Sequence, residues 1–184
     1  MVSDYVYLGS YISSSEKRKG KAWAACNVMN KIWSSDLDRN FKLIFKAAVE
    51  PILQYGSETW TLSKKHEKGL DGTYTRILMR VQNISWKSHS TKVYIYNTLP
   101  PVSSLVQSRR VSFAGHCCRA EQELISDLHL WKPFSRNKRG RKLTYPDGIS
   151  RDVGLKQEDL RTAMMDREVW RGYVDSIIST AVKQ

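Results

Sequence analysis

The sequence predicts a mainly α protein, a helical bundle with a short N-terminal β-hairpin and a second, small helical C-terminal subdomain. Apolar residues recur three and four positions apart in several long runs, which is the spacing of one face of a helix. Only the first residues have the composition of paired strands. Hydrophobic residues make up 41% of the 184, enough for a packed core. We divide the chain into 1–13 for the hairpin, 14–88 for the bundle and 89–184 for a basic helical domain.

The charge balance indicates the class of partner. The chain contains 30 Lys and Arg against 18 Asp and Glu, a formal net charge of +12. Such an excess is solvated or is matched by a polyanion, most often nucleic acid and less often an anionic membrane. No run approaches the roughly eighteen apolar residues of a transmembrane helix, and the first ten residues do not resemble a signal peptide. We therefore expect a nucleic-acid partner and no membrane partner.

The first elements follow from local chemistry. Asp4 to Ser13 predicts a hairpin because Tyr, Val and Ile flank a Leu-Gly-Ser turn. Ser13 to Glu16 has the hydroxyl and the acid typical of a helix start, and the helix continues to Trp33. Asp36 and Asp38 have the spacing of a metal-binding pair, but a turn followed by a helix cap explains them better.

Two amphipathic helices come next. Asp38 to Gln54 contains one apolar stripe from Phe41 to Ile52, with Lys42 and Lys46 on the outer side, and we expect Pro51 to disturb its last turn. Ser63 to Ile84 repeats the pattern, although Gly72 weakens it. Arg76 and Arg80 are four residues apart and share a face.

A short helix from Thr91 to Leu99 precedes a third long helix, Val102 to Arg119. Apolar residues cover most of the circumference of the long helix, so we expect burial on more than one side. Arg109, Ser112, His116 and Arg119 fall within an arc of roughly 80°. Arginines beside so much apolar surface need partners, which are either acids of the same fold or phosphates.

The strongest charge feature is the segment Lys132 to Lys142. It contains no acid, and its basic residues are Lys132, Arg136, Lys138, Arg139, Arg141 and Lys142. Basic segments with Pro and Gly commonly contact phosphates, although a solvated linker or a nuclear-import signal has the same composition. After it we predict a turn at Tyr145 to Gly148, short helices from Ile149 to Asp152 and from Glu158 to Met165, and a last helix capped by Asp166.

Catalytic and metal motifs are weak. His116-Cys117-Cys118 lacks the spaced ligand pairs of a zinc site, and neighbouring side chains on a helix point apart, which disfavours a Cys–His catalytic pair. No Walker-type loop, helical His-x-x-x-His or aspartate pair for two metals occurs. The three cysteines do not make a disulfide framework and are expected to be buried thiols.

Six short stretches stand out when the sequence is taken in order. They are Tyr7-Leu8-Gly9, Val49 to Trp60, Leu70 to Arg76, Phe113 to His116 with Arg119, Arg139 to Arg141 with Thr144-Tyr145, and Asp166-Arg167 with Trp170-Arg171. Together, and in this order, they resemble the C-terminal part of endonuclease/reverse transcriptases of LINE-type non-LTR retrotransposons, of the jockey and RTE kind. The resemblance extends over nearly the whole sequence, and Lys142 departs from it where that family usually has proline.

The resemblance implies the primer grip, thumb and post-thumb region of such an enzyme, and hence a thumb-like bundle without catalytic residues of its own. No cofactor is expected in this chain, whereas the parent polymerase would use Mg²⁺ at palm aspartates. Expected partners are RNA, an RNA/DNA hybrid, target DNA and the palm and fingers of the parent enzyme, with no small-molecule substrate. A nuclear location follows from acting on chromosomal DNA.

Charge and position on each helix then suggest which residues of such a thumb region would contact nucleic acid. Tyr7 and Gly9 would lie at the primer end, and Lys42, Lys46, Arg76 and Arg80 would face the heteroduplex. Contacts further out would come from Arg109, Arg110, His116, Arg119 and the Lys132–Lys142 segment. The alternatives are a domesticated or fragmentary helical protein-interaction module without a polymerase role and, less favoured because it lacks an acid cluster, an independent metal-dependent nuclease.

Overall fold

The computed structural model describes residues 6–7, 10–11, 15–35, 41–121, 123–131 and 143–182, and the chain divides into two compact units. The first unit contains Met1–Gly56 and Lys64–Ser103, and the second contains Ser57–Ser63 and Ser104–Gln184. The sequence-based boundary at 88/89 lies within the first unit, so the assignment of separate roles to 14–88 and 89–184 stays a prediction.

The described residues form a succession of helices. These are α1 (Ser15–Val28), α2 (Asn30–Trp33), α3 (Phe41–Ala48), α4 (Glu50–Gln54), α5 (Lys64–Val81), α6 (Lys92–Tyr96), α7 (Val102–Cys118), α8 (Glu123–Leu128), α9 (Tyr145–Val153), α10 (Gln157–Met165) and α11 (Arg167–Val182). Short 3₁₀ turns occur at Ser57–Thr59 and Trp86–Ser88. No helix of the described residues combines the length and the apolar composition needed to cross a bilayer.

The fold class needs one correction, because it included a β-hairpin. The strands β1 (Val6–Tyr7) and β2 (Ser10–Tyr11) have two residues each and pair only with one another in an antiparallel register, Val6 opposite Tyr11. Strands this short do not form a sheet layer, and an isolated pair is marginally stable in water. The architecture of the described residues is all-α, and helix packing alone makes its cores.

In the first unit, α1 packs on α4 and α5. The single helix predicted from Asp38 to Gln54 is wrong, because α3 ends at Ala48 and α4 starts again at Glu50. The break at Val49 lies two residues before Pro51, which has no N–H to bond the carbonyl four residues back. The apolar stripe nevertheless persists across the break, since Phe45, Val49 and Leu53 are all buried.

The first unit is completed by α5 and α6. Despite Gly72, α5 is continuous from Lys64 to Val81, as the periodicity predicted. Gln82 Nε2 donates to the Ile95 carbonyl at 2.6 Å, and the hydroxyls of Thr75 and Tyr96 lie 2.9 Å apart. These two bonds attach α6 to the end of α5.

The second unit has its own core. Buried side chains of α7, α9, α10 and α11 form one cluster: Val111, Ala114, Cys118, Ile149, Leu160, Met164 and Trp170. The turn predicted at Tyr145 to Gly148 is wrong, because α9 already begins at Tyr145. Thr144 and Asp147 form a reciprocal capping box there, and a proline in the first helical turn is compatible with helix initiation.

Candidate nucleic-acid interface

The predicted cations of the first unit that the structure describes are on its surface. Lys46 on α3 is exposed, as are Arg76 and Arg80 one turn apart on α5. The opposite face of α5 is buried through Tyr74, Ile77, Leu78 and Val81. Arg80 Nη2 donates to Asn30 Oδ1 at 2.7 Å, which orients its guanidinium. Arg76 and Arg80 thus form a pair of outward-facing cations, as helix phase predicted.

Several predicted contacts are described only in part or not at all. Tyr7 belongs to β1 and Lys42 to α3, but only their backbones are described. Gly9 and the whole Lys132–Lys142 segment lie outside the described residues. The roles assigned to these residues stay predictions.

In the second unit, one face of α7 borders an open cleft of about 560 Å³. Its lining residues are Glu58, Ser108, Arg109, Ser112, Phe113, His116 and Val174. The predicted arc therefore brings Arg109, Ser112 and His116 to one surface. Guanidinium, imidazole and hydroxyl groups can all donate hydrogen bonds to a phosphate, whereas the Glu58 carboxylate would repel one.

Arg110 is not part of that surface, and its assignment as a nucleic-acid contact is corrected. Its side chain is fully buried in an ion pair with Asp152, with Nε 2.9 Å from Oδ2. Nη1 donates to the Trp60 carbonyl at 2.6 Å. Of the two partners that the sequence left open for such an arginine, the acid of the same fold is the one present.

Arg119 likewise serves the fold. It is half-buried, and Nη1 donates to the carbonyl of Met164 near the end of α10. Gly115 in the same motif lies against the Trp170 ring so closely that a β-carbon would overlap it. Trp170 Nε1 in turn donates to the Val111 carbonyl at 2.8 Å. Residues of the motifs around 113–119 and 166–171 thus meet in one core.

The stretch around Trp60 is also structural. The Trp60 carbonyl accepts from Arg110, and the Leu62 carbonyl accepts from Arg151 Nη1 at 3.3 Å. Tyr145 of the 144–145 motif donates its hydroxyl to the Arg110 carbonyl at 3.4 Å. These contacts give the motif residues a structural role in the second unit.

The cysteines do not form a site. All three are buried free thiols, as predicted, and burial raises the pKa of Cys26, Cys117 and Cys118 above the usual thiol value. Thiols with a raised pKa are poor nucleophiles and poor metal ligands at neutral pH. The described residues contain no group of three His, Cys, Asp or Glu side chains that would hold a metal ion.

Sequence reasoning missed a basic, acid-free stretch with exposed aromatic rings. No Asp or Glu occurs between Asp71 and Glu121. Five cations of this stretch are exposed: Arg76, Arg80, Lys87, Lys92 and Arg109. Trp86 and Tyr94 are exposed as well. The sequence signal for this surface was the lack of Asp and Glu over the whole stretch. Such a lack is not noticed when each residue is considered by itself.

A comparison with known proteins finds a similar protein. A transposon-derived protein of Caenorhabditis elegans is 24% identical over 192 residues, covering 92% of this chain and 69% of the relative. No protein-family profile and no solved structure matches the chain. The likeness to that relative supports a transposon origin for this protein.

Proposed function

We propose that the chain is a non-catalytic, nucleic-acid-binding segment of a LINE-type reverse transcriptase, and that it holds an RNA/DNA template–primer by its phosphate backbone. The observation that carries the proposal is the acid-free stretch between Asp71 and Glu121, whose exposed cations have no carboxylate of that stretch to neutralise them. A transposon origin agrees with it.

The mechanism is electrostatic positioning. Cations on α5 and α7 displace the counterions of the phosphates, and the released ions supply a large part of the binding free energy. Contacts to phosphates fix the register of a duplex without reading its sequence. Chemistry would remain with the palm of the parent enzyme, whose aspartates would bind Mg²⁺. RNA and target DNA would be the wider partners, and the nucleus the place of action.

A salt series on the full chain tests this proposal. Labelled RNA–DNA hybrid is titrated with protein by fluorescence anisotropy, and log K is expected to fall linearly with log salt concentration. The double variant Arg76→Ala/Arg80→Ala should reduce that slope by about one per lost phosphate contact. Replacing the six basic residues of Lys132–Lys142 with Gln measures how much that segment contributes to the affinity for the hybrid and to its salt dependence.

The matched control removes two exposed cations elsewhere. Lys156→Ala/Arg167→Ala changes the net charge equally but lies outside the acid-free stretch. It should leave the slope nearly unchanged. If both double variants lower the slope equally, binding depends only on the net charge of the protein and not on the acid-free stretch. If the chain does not bind the hybrid even at low salt, the proposal is wrong.

A second candidate, a protein-interaction module, is favoured by one surface. Leu124 and Leu128 of α8 and the following Trp131 are exposed apolar side chains in the second unit. Patches of this kind often mark protein contacts. Light scattering across a concentration series tests for self-association, which Leu124→Ser/Leu128→Ser should abolish. A concentration-independent monomer would disfavour a homodimeric module.

A further inference from the structure

The turn after α5 and the helix α6 each present one aromatic ring to solvent. Trp86 is 75% exposed and Tyr94 is 65% exposed. Their neighbours on α6 behave differently, since Ile95 is 4% exposed and Tyr96 packs against Tyr74 with ring centroids 5.9 Å apart. The outward rings are therefore not excess core residues, because the core contacts of α6 are made by other side chains.

Cations accompany both rings. The Lys87 ammonium lies 5.8 Å from the centroid of the Trp86 ring, within reach of a cation–π contact. Lys92, two residues before Tyr94, is exposed at the start of α6. The turn belongs to the acid-free stretch, so an anionic partner meets no carboxylate of that stretch.

The backbone of the turn is fixed by hydroxyl groups. Ser88 Oγ donates to the Ser85 carbonyl at 2.6 Å and lies 2.7 Å from Ser90 Oγ. Ser85 Oγ accepts from Lys87 N, and Thr91 Oγ1 accepts from Tyr94 N. These bonds anchor the backbone at both ends of the segment that bears the two rings.

Unusual backbone conformations occur within this segment and on either side of it. Among the described residues, the non-glycine positions with positive φ are Asn83 (55°), His89 (47°), Asn97 (41°) and Thr98 (74°). The conformation is least tolerated by a β-branched residue such as Thr98. Strain of this kind persists where the surrounding structure fixes it, and it clusters at ligand-binding sites.

We propose that Trp86 and Tyr94 form a stacking platform for single-stranded nucleic acid, with Lys87 and Lys92 contacting its phosphates. Base–aromatic stacking tolerates any sequence because every base has a π face. The interior of a duplex cannot use the platform in this way, since its base faces are already covered by their neighbours, and only the two terminal base pairs have a free face. The inference rests on the proposed nucleic-acid-binding function and adds the strand state that this turn recognises.

The test compares strand states on the full chain. Anisotropy titrations use oligo-uridylate, oligo-deoxythymidylate and a blunt RNA–DNA hybrid, each of about twelve nucleotides. Trp86→Leu/Tyr94→Leu keeps apolar bulk and removes both rings. It should weaken single-strand binding by about 5- to 150-fold per ring, the range expected for base stacking, and change hybrid binding less than twofold. Comparing the uridylate with the deoxythymidylate shows whether RNA or DNA is preferred.

Three variants separate stacking from other causes. Tyr55→Leu removes an exposed ring of the first unit outside the acid-free stretch and should leave single-strand and hybrid binding unchanged. Tyr94→Phe retains the ring and should retain the affinity. Lys87→Gln/Lys92→Gln should lower the single-strand salt slope by about 0.7 per lost contact, whereas the ring variant should leave the slope intact. Circular dichroism confirms that each variant folds.

Each outcome separates this inference from the proposed function. If the ring variant binds single strands as well as the native chain does, the stacking platform is refuted. The exposed rings would then be better explained as a contact for a protein partner. Equal losses on single strand and hybrid would overturn the strand preference. If the native chain binds the hybrid but not single strands, the stacking platform is refuted. The proposed function, holding a template–primer by its phosphates, is then retained. Binding to neither would refute both.

Discussion

Helices α5 and α7 are both long and both contain arginines, yet they use them differently. On α5 the buried residues occupy one face, so Arg76 and Arg80 lie on the other and reach solvent. On α7 the apolar residues run round the helix, and Arg110 is buried beside exposed Arg109. The comparison teaches that an arginine's role depends on how much of its helix is buried. On the one-faced helix α5 both arginines remain available, whereas on α7 Arg109 reaches solvent and Arg110 needs a partner inside the fold.

The largest effect is expected from removing the partner of Arg110. Asp152→Ala leaves a buried guanidinium without its carboxylate, which typically costs about 3–5 kcal/mol. Urea unfolding followed by circular dichroism measures the loss. The double variant Arg110→Met/Asp152→Leu removes both charges and should be much less destabilised. An Asp152→Ala protein as stable as the native one would show that Arg110 does not need its buried carboxylate partner.

A smaller loss should follow from filling the space at Gly115 of α7. Gly115→Ala pushes a methyl group into the Trp170 ring, and overpacking of this kind costs about 1–3 kcal/mol. Gly72→Ala on α5 is the matched control, because nothing lies within 4 Å of the added carbon. It should stabilise α5 by about 0.5–1 kcal/mol. Thermal unfolding measures the Tm of both variants. A change of Tm in the same direction for both would contradict the difference between the helices.

A polar contact on the buried side of α5 should matter less. The Tyr74 hydroxyl donates to Glu50 Oε1 at 3.2 Å, and burial, followed by the Glu50 charge, raises the Tyr74 pKa. The phenol therefore stays a donor across the accessible pH range. Tyr74→Phe should cost about 1 kcal/mol, the net contribution of an ordinary hydrogen bond, in chemical denaturation. A loss as large as that of Asp152→Ala would mean that α5 also depends on a buried polar centre.

The smallest effect concerns His129, a half-buried and neutral group, in contrast to the fully buried and charged Arg110. Burial lowers the pKa of His129 below its usual value, and Nε2 is buried without a hydrogen-bond partner among the described residues. Because the folded-state pKa is depressed, the neutral ring's contribution to stability is present above the unfolded-state pKa of about 6.5. It is lost as the pH falls through the folded-state value.

Unfolding free energies of the native chain and His129→Gln, measured from pH 8 down to pH 5, check this sign. The difference between the two proteins should change in favour of the variant as the solution becomes acidic. A difference that is constant over this range would show that the ring does not titrate differently in the folded and unfolded states.

Much of the helical framework followed from periodicity, because that signal is local. The stripe of α5 survived Gly72, and Asp166 caps α11 as predicted, its Oδ1 accepting from Glu168 N at 3.0 Å and Val169 N at 3.1 Å. The start of α9 was misplaced because the proline after Tyr145 suggested a turn, whereas Thr144 makes it the first helical turn.

The interface was less predictable because it depends on distant residues. Helix phase placed Arg109 and His116 on one surface, but it could not say that Arg110 would bond Asp152, 42 positions away. Motif resemblance pointed to Gly115 and Trp170 without revealing that they pack together. Exposure of Trp86 could not be inferred either, since an isolated tryptophan in a sequence is more often buried.

The segment Ser57–Ser63 belongs to the second unit, although the chain around it belongs to the first. Its carbonyl partners come late: Arg110 lies 50 positions after Trp60, and Arg151 lies 89 positions after Leu62. At ribosomal rates of about 5–20 residues per second, Leu62 would wait roughly 5–20 s for Arg151 to be made. The nascent second unit therefore cannot close around this segment until Arg151 has been synthesised, and a chain cut between Ser103 and Ser104 would separate two parts that must fold together.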